Sequence, residues 1–347
     1  MSHEIDMSNG RANMMYTREV PWHGLGNYVG DEAVTAEDAI VAAGLDWEVG
    51  CQPIFAEYDK DGSRIDIPNN FAVVRDDTKA VLGVVGNQYE PIQNKDCFGF
   101  MDALAGPERL VRYHTAGSLC GGRKIWLLAE LTNLTFAPVP GDEVQPYLAL
   151  IDGKDGRTTL MAFFTGTRIV CANTAAIAIG DANRKKDQMV KIRHTQSAMV
   201  RMGEAQRVLG LAVEQAQQYG EVLNSLARKQ VNTAGWNDFL DELVGELIIP
   251  DEGDPTRGYT RLLNRREKLT ELFESGVGTD IPGVRGTAWG AYNAITEFTT
   301  HHNQIRLGIE PGTQGYDTKK TDRRLASSWF GPSDKLNAKA LGLLVGA

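Results

Sequence analysis

The sequence predicts an α+β protein, with an antiparallel β-hairpin-rich N-terminal part followed by a helical C-terminal part. Three observations predict it. Short β-rich runs separated by Asp-Gly and Gly-Gly turns fill residues 46–165. Apolar residues recur at helical spacing from residue 195 onward. The strands come first and the helices afterwards, which disfavours alternating βαβ units.

The elements follow in chain order. Residues 1–34 read as an irregular segment in which "PWHGLGNYVG", with Trp22 and His23, packs as a structural loop. Thr35 caps a short helix, "AEDAIVAAGL", with Asp38 at its third position. "DWEVGCQPIFAEYD", "RIDIPNNFAVVRD" and "AVLGVVGN" then form strands joined by turns at "DKDG" and "DDTK". "NKDCFGFMDALAG" is a helix capped by Asn94. A second hairpin turns at "CGGR" and a third at "GKDGR".

Character changes near residue 173. Asn173 or Thr174 caps a short helix, "AAIAIGDA", and Cys171 anchors the strand before it as a small buried hydrophobe. "RKKDQMVKIRH" is basic and partly extended, and Thr195 caps a long helix. Further helices are expected at "WNDFLDELVGELI", "RGYTRLLNRREKLTELFESG", "GTAWGAYNAITEFTTHHN" and the end of the chain. The domain reading is an irregular segment over 1–34, a sheet-rich α+β domain over 35–172, and a mainly helical region over 173–347 with a basic segment at 184–207.

Charge and cysteines narrow the function classes. Of a net charge of -9, residues 1–60 hold eleven Asp or Glu against three Arg or Lys. Residues 184–207 hold seven Arg or Lys against Asp187 and Glu204. An acidic chain with one basic strip is no general coat for nucleic acid, yet the strip suits a polyanion. The four cysteines form no CxxC, which fits reduced cytosolic thiols and no metal site. No apolar run reaches the roughly 20 residues that span a bilayer, and the polar, acidic start reads as no secretory signal.

Candidate chemistry divides three ways. Cys171 and His194 could be a nucleophile and its base in a site that includes Asn173, but the flanking "RIVCA" puts Cys171 on a buried face. Metal ligation fails on spacing, because adjacent His301 and His302 diverge by about 100° on a helix. Asp238, Asp241, Glu242 and Glu246 share a helical side that reads as solvated. Neither "GKDGRT" nor "HGLGNYVG" matches a nucleotide fingerprint, so no cofactor is expected. The third reading is anion contact by Arg168, Arg184, Lys185, Lys186, Lys191, Arg193 and His194 around the start of the long helix. Tyr113, Tyr147, Tyr259 and Tyr316 are candidate stacking platforms for bases.

"PWHGLG", "GNQYEPIQNKDCFGFMDAL", "RIVCANT", "IRHT", "GTAWGAYNAITEF" and "SSWFGPSDKLNAKALGLL" together resemble a phage/plasmid-like protein family classed as a domain of unknown function (family 932). The resemblance implies a phage, prophage or plasmid product in a bacterial cytoplasm and supplies no catalytic residues. At the level of architecture, a hairpin sheet with a helix and a basic segment is loosely similar to single-strand annealing proteins. The expected function is therefore a non-enzymatic nucleic-acid-associated protein, a recombination or single-strand annealing accessory. Its partner would be single-stranded DNA or another nucleic acid, with homo-oligomer formation and no membrane. The alternatives are a structural or protein-interaction role in a virion or on a host factor and, below it, an enzyme using Cys171 and His194.

Overall fold

The computed structural model describes the chain except residues 1–4, 9, 19–24, 31–34, 59–61, 106–110, 133, 169–172, 176–188, 204–205, 249–255, 303–312, 314–331 and 347. Two compact units result. Unit 1 gathers residues 1–133, 147–164 and 187–213, and unit 2 gathers 134–146, 165–186 and 214–347. The grouping interleaves along the chain, whereas sequence order suggests one change of character near residue 173.

Unit 1 begins with β1 (Met14–Tyr16) and β2 (Asn27–Tyr28), a parallel pair. Helix α1 (Ala36–Ala42) starts where the capping signal places it: Thr35 Oγ1 accepts from Asp38 N at 3.1 Å and donates to the Asp38 carboxylate. Strands β3 (Val49–Glu57), β4 (Arg64–Arg75) and β5 (Val81–Gly86) form a three-stranded antiparallel sheet.

Helix α2 (Asn94–Ala105) corrects one expectation. Asn94 does not cap it. The Asp96 carboxylate accepts from Gln93 N, while the Asn94 amide donates to the carbonyls of Leu45 and Trp47. A buried amide with two carbonyls to satisfy is worth more as a tie between segments than as a local cap.

Strands β6 (Val111–Leu119) and β7 (Lys124–Leu131) form the second expected hairpin. Its turn needs glycine. Gly121 and Gly122 hold φ of 68° and 93°, and a side chain on Gly122 would meet the Arg75 guanidinium. The central sheet of unit 1 runs β10-β9-β7-β6-β1-β2, where β9 spans Asp142–Gly153 and β10 spans Leu160–Arg168. Alternation along β7 puts Ile125, Leu127 and Ala129 in the core, while β9 is buried along almost all of its length.

A second correction concerns the residues after β10. Asn173 and Thr174 cap no helix: they lie in a strand, β11 (Asn173–Ala175), paired with the end of β10 through Arg168↔Asn173 and Thr167↔Thr174. Their polar side chains suggest a cap by local propensity, and pairing with the neighbouring strand overrides it. Cys171 lies outside the described residues, as do Trp22 and His23.

β12 (Met189–Ile192) pairs with β10 in unit 1. The long helix does not start at Thr195. A six-residue helix, α3 (Ala198–Gly203), comes first, and the long one, α4, covers Gln206–Arg228. Thr195 contributes a turn, its carbonyl accepting from Ala198 N at 2.7 Å.

Unit 2 contains a short strand β8 (Phe136–Val139), paired with β9, and the remaining helices. Helix α5 (Thr233–Val244) is capped by Asn232, α6 (Arg257–Ser275) by Thr256 and α7 (Ala288–Glu297) by Thr287, each cap side chain accepting a backbone N–H two positions into its helix. α7 is buried on every side, as a helix at the centre of a core must be. Trp289 of α7 donates its indole N–H to the Asp142 carboxylate at 2.7 Å, and Trp236 stacks on Phe273 at 4.3 Å. After α7 the chain makes one π-helical turn, Phe298–His302, and α8 (Pro332–Gly346) closes the unit. Among the described residues no helix is long and apolar enough to cross a membrane.

Candidate functional site

The segment "KIRHT" shows how sequence alternation sorts residues between core and water. β12 sets Leu160 against Ile192 and Met161 against Lys191. Ile192 is buried, so its neighbours Lys191 and Arg193 face outward, and both are exposed. Neither has a carboxylate partner among the described residues, and the same is true of exposed Arg201 on α3.

His194 turns the other way. It is buried, its ring stacks on Tyr89 at 4.9 Å, and its Nδ1 accepts from Ile92 N at 3.4 Å. That bond leaves the ring proton on Nε2, which faces Asp152 Oδ1 at 3.0 Å. Asp152 is wholly buried at the end of β9. Its Oδ2 accepts from Lys154 Nζ at 2.6 Å, and Lys154 also donates to the Ile92 carbonyl. Burial alone would push the Asp152 carboxyl up. Lys154 and His194 outweigh it and hold the carboxyl below the ordinary range. The cluster is a closed ion pair with a histidine attached, and it pins the chain at the point where Arg193 emerges.

This geometry revises a sequence expectation. His194 is no surface contact for phosphate. Its two ring nitrogens face Ile92 N and the Asp152 carboxylate; its expected partner Cys171 lies outside the described residues. Burial pushes the Cys97 thiol well up and the Cys51 thiol up, so neither carries the activated thiolate of a nucleophile. Cys51 and Cys97 are free thiols. Of the proposed stacking tyrosines, Tyr113 and Tyr147 are buried and Tyr259 is half-buried. Tyr316 lies outside the described residues. Among the described residues no group of His, Cys, Asp and Glu is arranged to hold a metal ion.

Arg184, Lys185 and Lys186 lie outside the described residues, and for Arg168 only the backbone is described, at the end of β10. Lys191 and Arg193 are the members of the expected anion set that stand exposed. Asp152 and Lys154 went unrecognised in "LIDGKDG". Their signal was present: two ionisable residues ending an almost wholly apolar strand must be neutralised inside.

A second buried network in unit 1 has the same logic. The Arg75 guanidinium donates to Asp6 Oδ2 at 2.6 Å, to both oxygens of Asp77 at 2.7 and 2.9 Å, and to the Gly121 carbonyl, and it lies 4.2 Å above the Trp47 ring. Asn13 and Ser118 complete the shell of Asp6. Four of the five N–H groups of the cation have acceptors, which marks a structural tie.

The described hairpin β3–β4 offers a different surface. Ala56 sits opposite Ile65, and Ile67 and Tyr58 extend the same face outward. Tyr58 is 69% exposed and Ile65 51%. On the reverse face Arg64 lies over the Phe55 ring at 4.1 Å.

A family model described as Domain of unknown function (DUF932) matches residues 81–329. No curated protein and no solved structure matches the chain.

Proposed function

The chain belongs to the DUF932 family, a domain of unknown function, and from that premise we propose that it is a nucleic-acid-associated protein of a phage- or plasmid-like element. It would work in the cytoplasm of a bacterial host as a non-enzymatic recombination or single-strand annealing accessory. The observation that carries the reading is that Lys191, Arg193 and Arg201 are exposed and have no carboxylate partner among the described residues. Among the described residues of the acidic N-terminal segment none pairs with them: Glu48 pairs with Lys95, Asp6 with Arg75 and Asp38 with the Thr35 cap. Such cations beside a buried ionic pin suit a polyanion whose phosphates displace counterions. Polarisation titrations with labelled single- and double-stranded DNA at low and moderate salt test the proposal. Binding at low salt that weakens steeply with salt, and weakens further in Lys191→Glu/Arg193→Glu, supports it. Absence of binding at low salt, or binding indifferent to that reversal, overturns it.

The apolar outer face of the β3–β4 hairpin favours a second reading, association with another protein or a second copy of the chain. Large apolar side chains on a two-stranded projection are a common contact surface. Light scattering distinguishes the two: a particle larger than the monomer that Ile65→Lys/Tyr58→Lys reduces to one chain supports association.

A further inference from the structure

Helix α6 carries its charges the wrong way round. Its first ten residues, Arg257–Arg266, contain four arginines and no Asp or Glu. Its remainder, residues 267–275, contains Glu267, Glu271 and Glu274 against Lys268. The helix dipole favours anions at the N-terminal end and cations at the C-terminal end, so both ends oppose it. Arg257, Arg261 and Arg265 also stand four residues apart, which places like charges on one face as neighbours.

Local compensation distinguishes the two halves. In the second half Lys268 pairs with Glu271 at 2.7 Å, and the Glu274 carbonyl receives the Arg285 guanidinium. In the first half Arg266 is held by the Asp241 carboxylate and the Gly245 carbonyl. Arg257, Arg261 and Arg265 have no carboxylate partner among the described residues. Arg265 makes the conflict sharper. It is half-buried over the Phe298 ring at 5.6 Å, beside the π-helical turn, and its Nε is shielded from water without an acceptor. A solvated helix face normally alternates signs, as the second half of α6 does. Three arginines in a row without a carboxylate partner among the described residues break that pattern, and such a break marks a binding surface.

We infer that Arg257, Arg261 and Arg265 form a second phosphate-backbone contact for nucleic acid, carried by unit 2. The ladder rises about 6 Å per step, which matches successive phosphates of an extended strand, and the planar guanidinium engages phosphate oxygens two at a time. The inference rests on the nucleic-acid reading above, and adds a site that the reading does not need.

The test compares full-length Arg257→Gln/Arg261→Gln with Lys191→Gln/Arg193→Gln and the unmutated protein, by polarisation across a salt series. Removing two phosphate contacts should lower the slope of log affinity against log salt by about 1.4 for a single strand and about 1.8 for a duplex. The α6 variant should melt no lower than the unmutated protein, since it relieves repulsion. An α6 variant with unchanged affinity and slope, in a protein whose strip variant binds less well, overturns the inference and leaves the reading standing. No binding by the unmutated protein overturns both. A readout free of mutation is phenylglyoxal labelling of Arg257 and Arg261. Protection by an oligonucleotide supports the ladder, and no protection overturns it. Equal protection by polyglutamate at matched charge reassigns the surface to an acidic protein partner and also overturns it.

Discussion

Arg75 in unit 1 and Arg265 in unit 2 carry the same guanidinium over an aromatic ring and meet opposite conditions. Arg75 is fully buried, and burial by itself would make its cation easier to deprotonate. Asp77 and Asp6 outweigh that and raise it. Arg265 is half-buried with nothing to oppose the burial, and its cation is destabilised. The difference teaches how to separate structural from functional charge. A cation that the fold needs is given its anions by the fold. One that the fold leaves short of them is serving something else, or weakening the protein for no return.

The largest test of this contrast is Arg75→Met. It leaves Asp6 and Asp77 facing a cavity without their cation, and the expected loss is about 3–5 kcal/mol of unfolding free energy in a urea titration. Arg265→Met should leave stability unchanged or higher. Comparable losses from both substitutions would erase the distinction.

Acid is the next lever. Asp6, Asp77 and Asp152 all have folded-state values held below the ordinary carboxylate one. For Asp6, burial pushes upward and is outweighed by donors from Asn13, Ser8 and Arg75. A lowered folded value means that the unfolded chain takes up protons first, so the contribution is fully present above the unfolded value of about 3.9. It is lost as the pH falls from there through the folded values. Urea midpoints should therefore hold steady near neutrality and drop steeply below about pH 4. Asp152→Asn should flatten part of that drop. A midpoint that declines evenly from pH 7 would count against paired buried carboxylates.

A smaller effect is expected at the surface strip. Lys191→Gln/Arg193→Gln should change stability by less than about 0.5 kcal/mol, because exposed residues without partners contribute little. A comparably small effect is expected from Arg261→Gln, which relieves two like-charge neighbour pairs, with Arg257 and Arg265, and should raise stability by about 0.2–0.5 kcal/mol for each, measured as a small rise in melting temperature. A fall instead would mean that Arg261 has a structural partner.

Much of the fold was legible in the sequence because its signals are local. The Thr35 cap with Asp38, the Gly121–Gly122 turn and the alternation of β7 each depend on residues a few positions apart. The same holds for the strands of the β3–β4–β5 sheet. The errors fell where distant partners decide. Asn94 looks like a cap and is a tie to Leu45 and Trp47. Asn173 and Thr174 look like caps and are strand residues because β10 runs alongside them. The inverted charge of α6 is visible in the sequence, but only the lack of carboxylate partners for Arg257 and Arg261 among the described residues separates it from a solvated face.

The sequence by itself determined the α+β class and the order of strands and helices. Period-two and period-3.6 patterns carry that information without reference to anything far away. Only the tertiary structure decided the fate of His194. Its neighbours in sequence, Arg193 and Thr195, are polar and suggest a surface. What buries it is Asp152, Lys154, Tyr89 and Ile92, which arrive from other strands and loops and make a closed set of charges and hydrogen bonds around one imidazole. Burial of an ionisable group depends on whether partners converge in space, and no local pattern encodes that convergence.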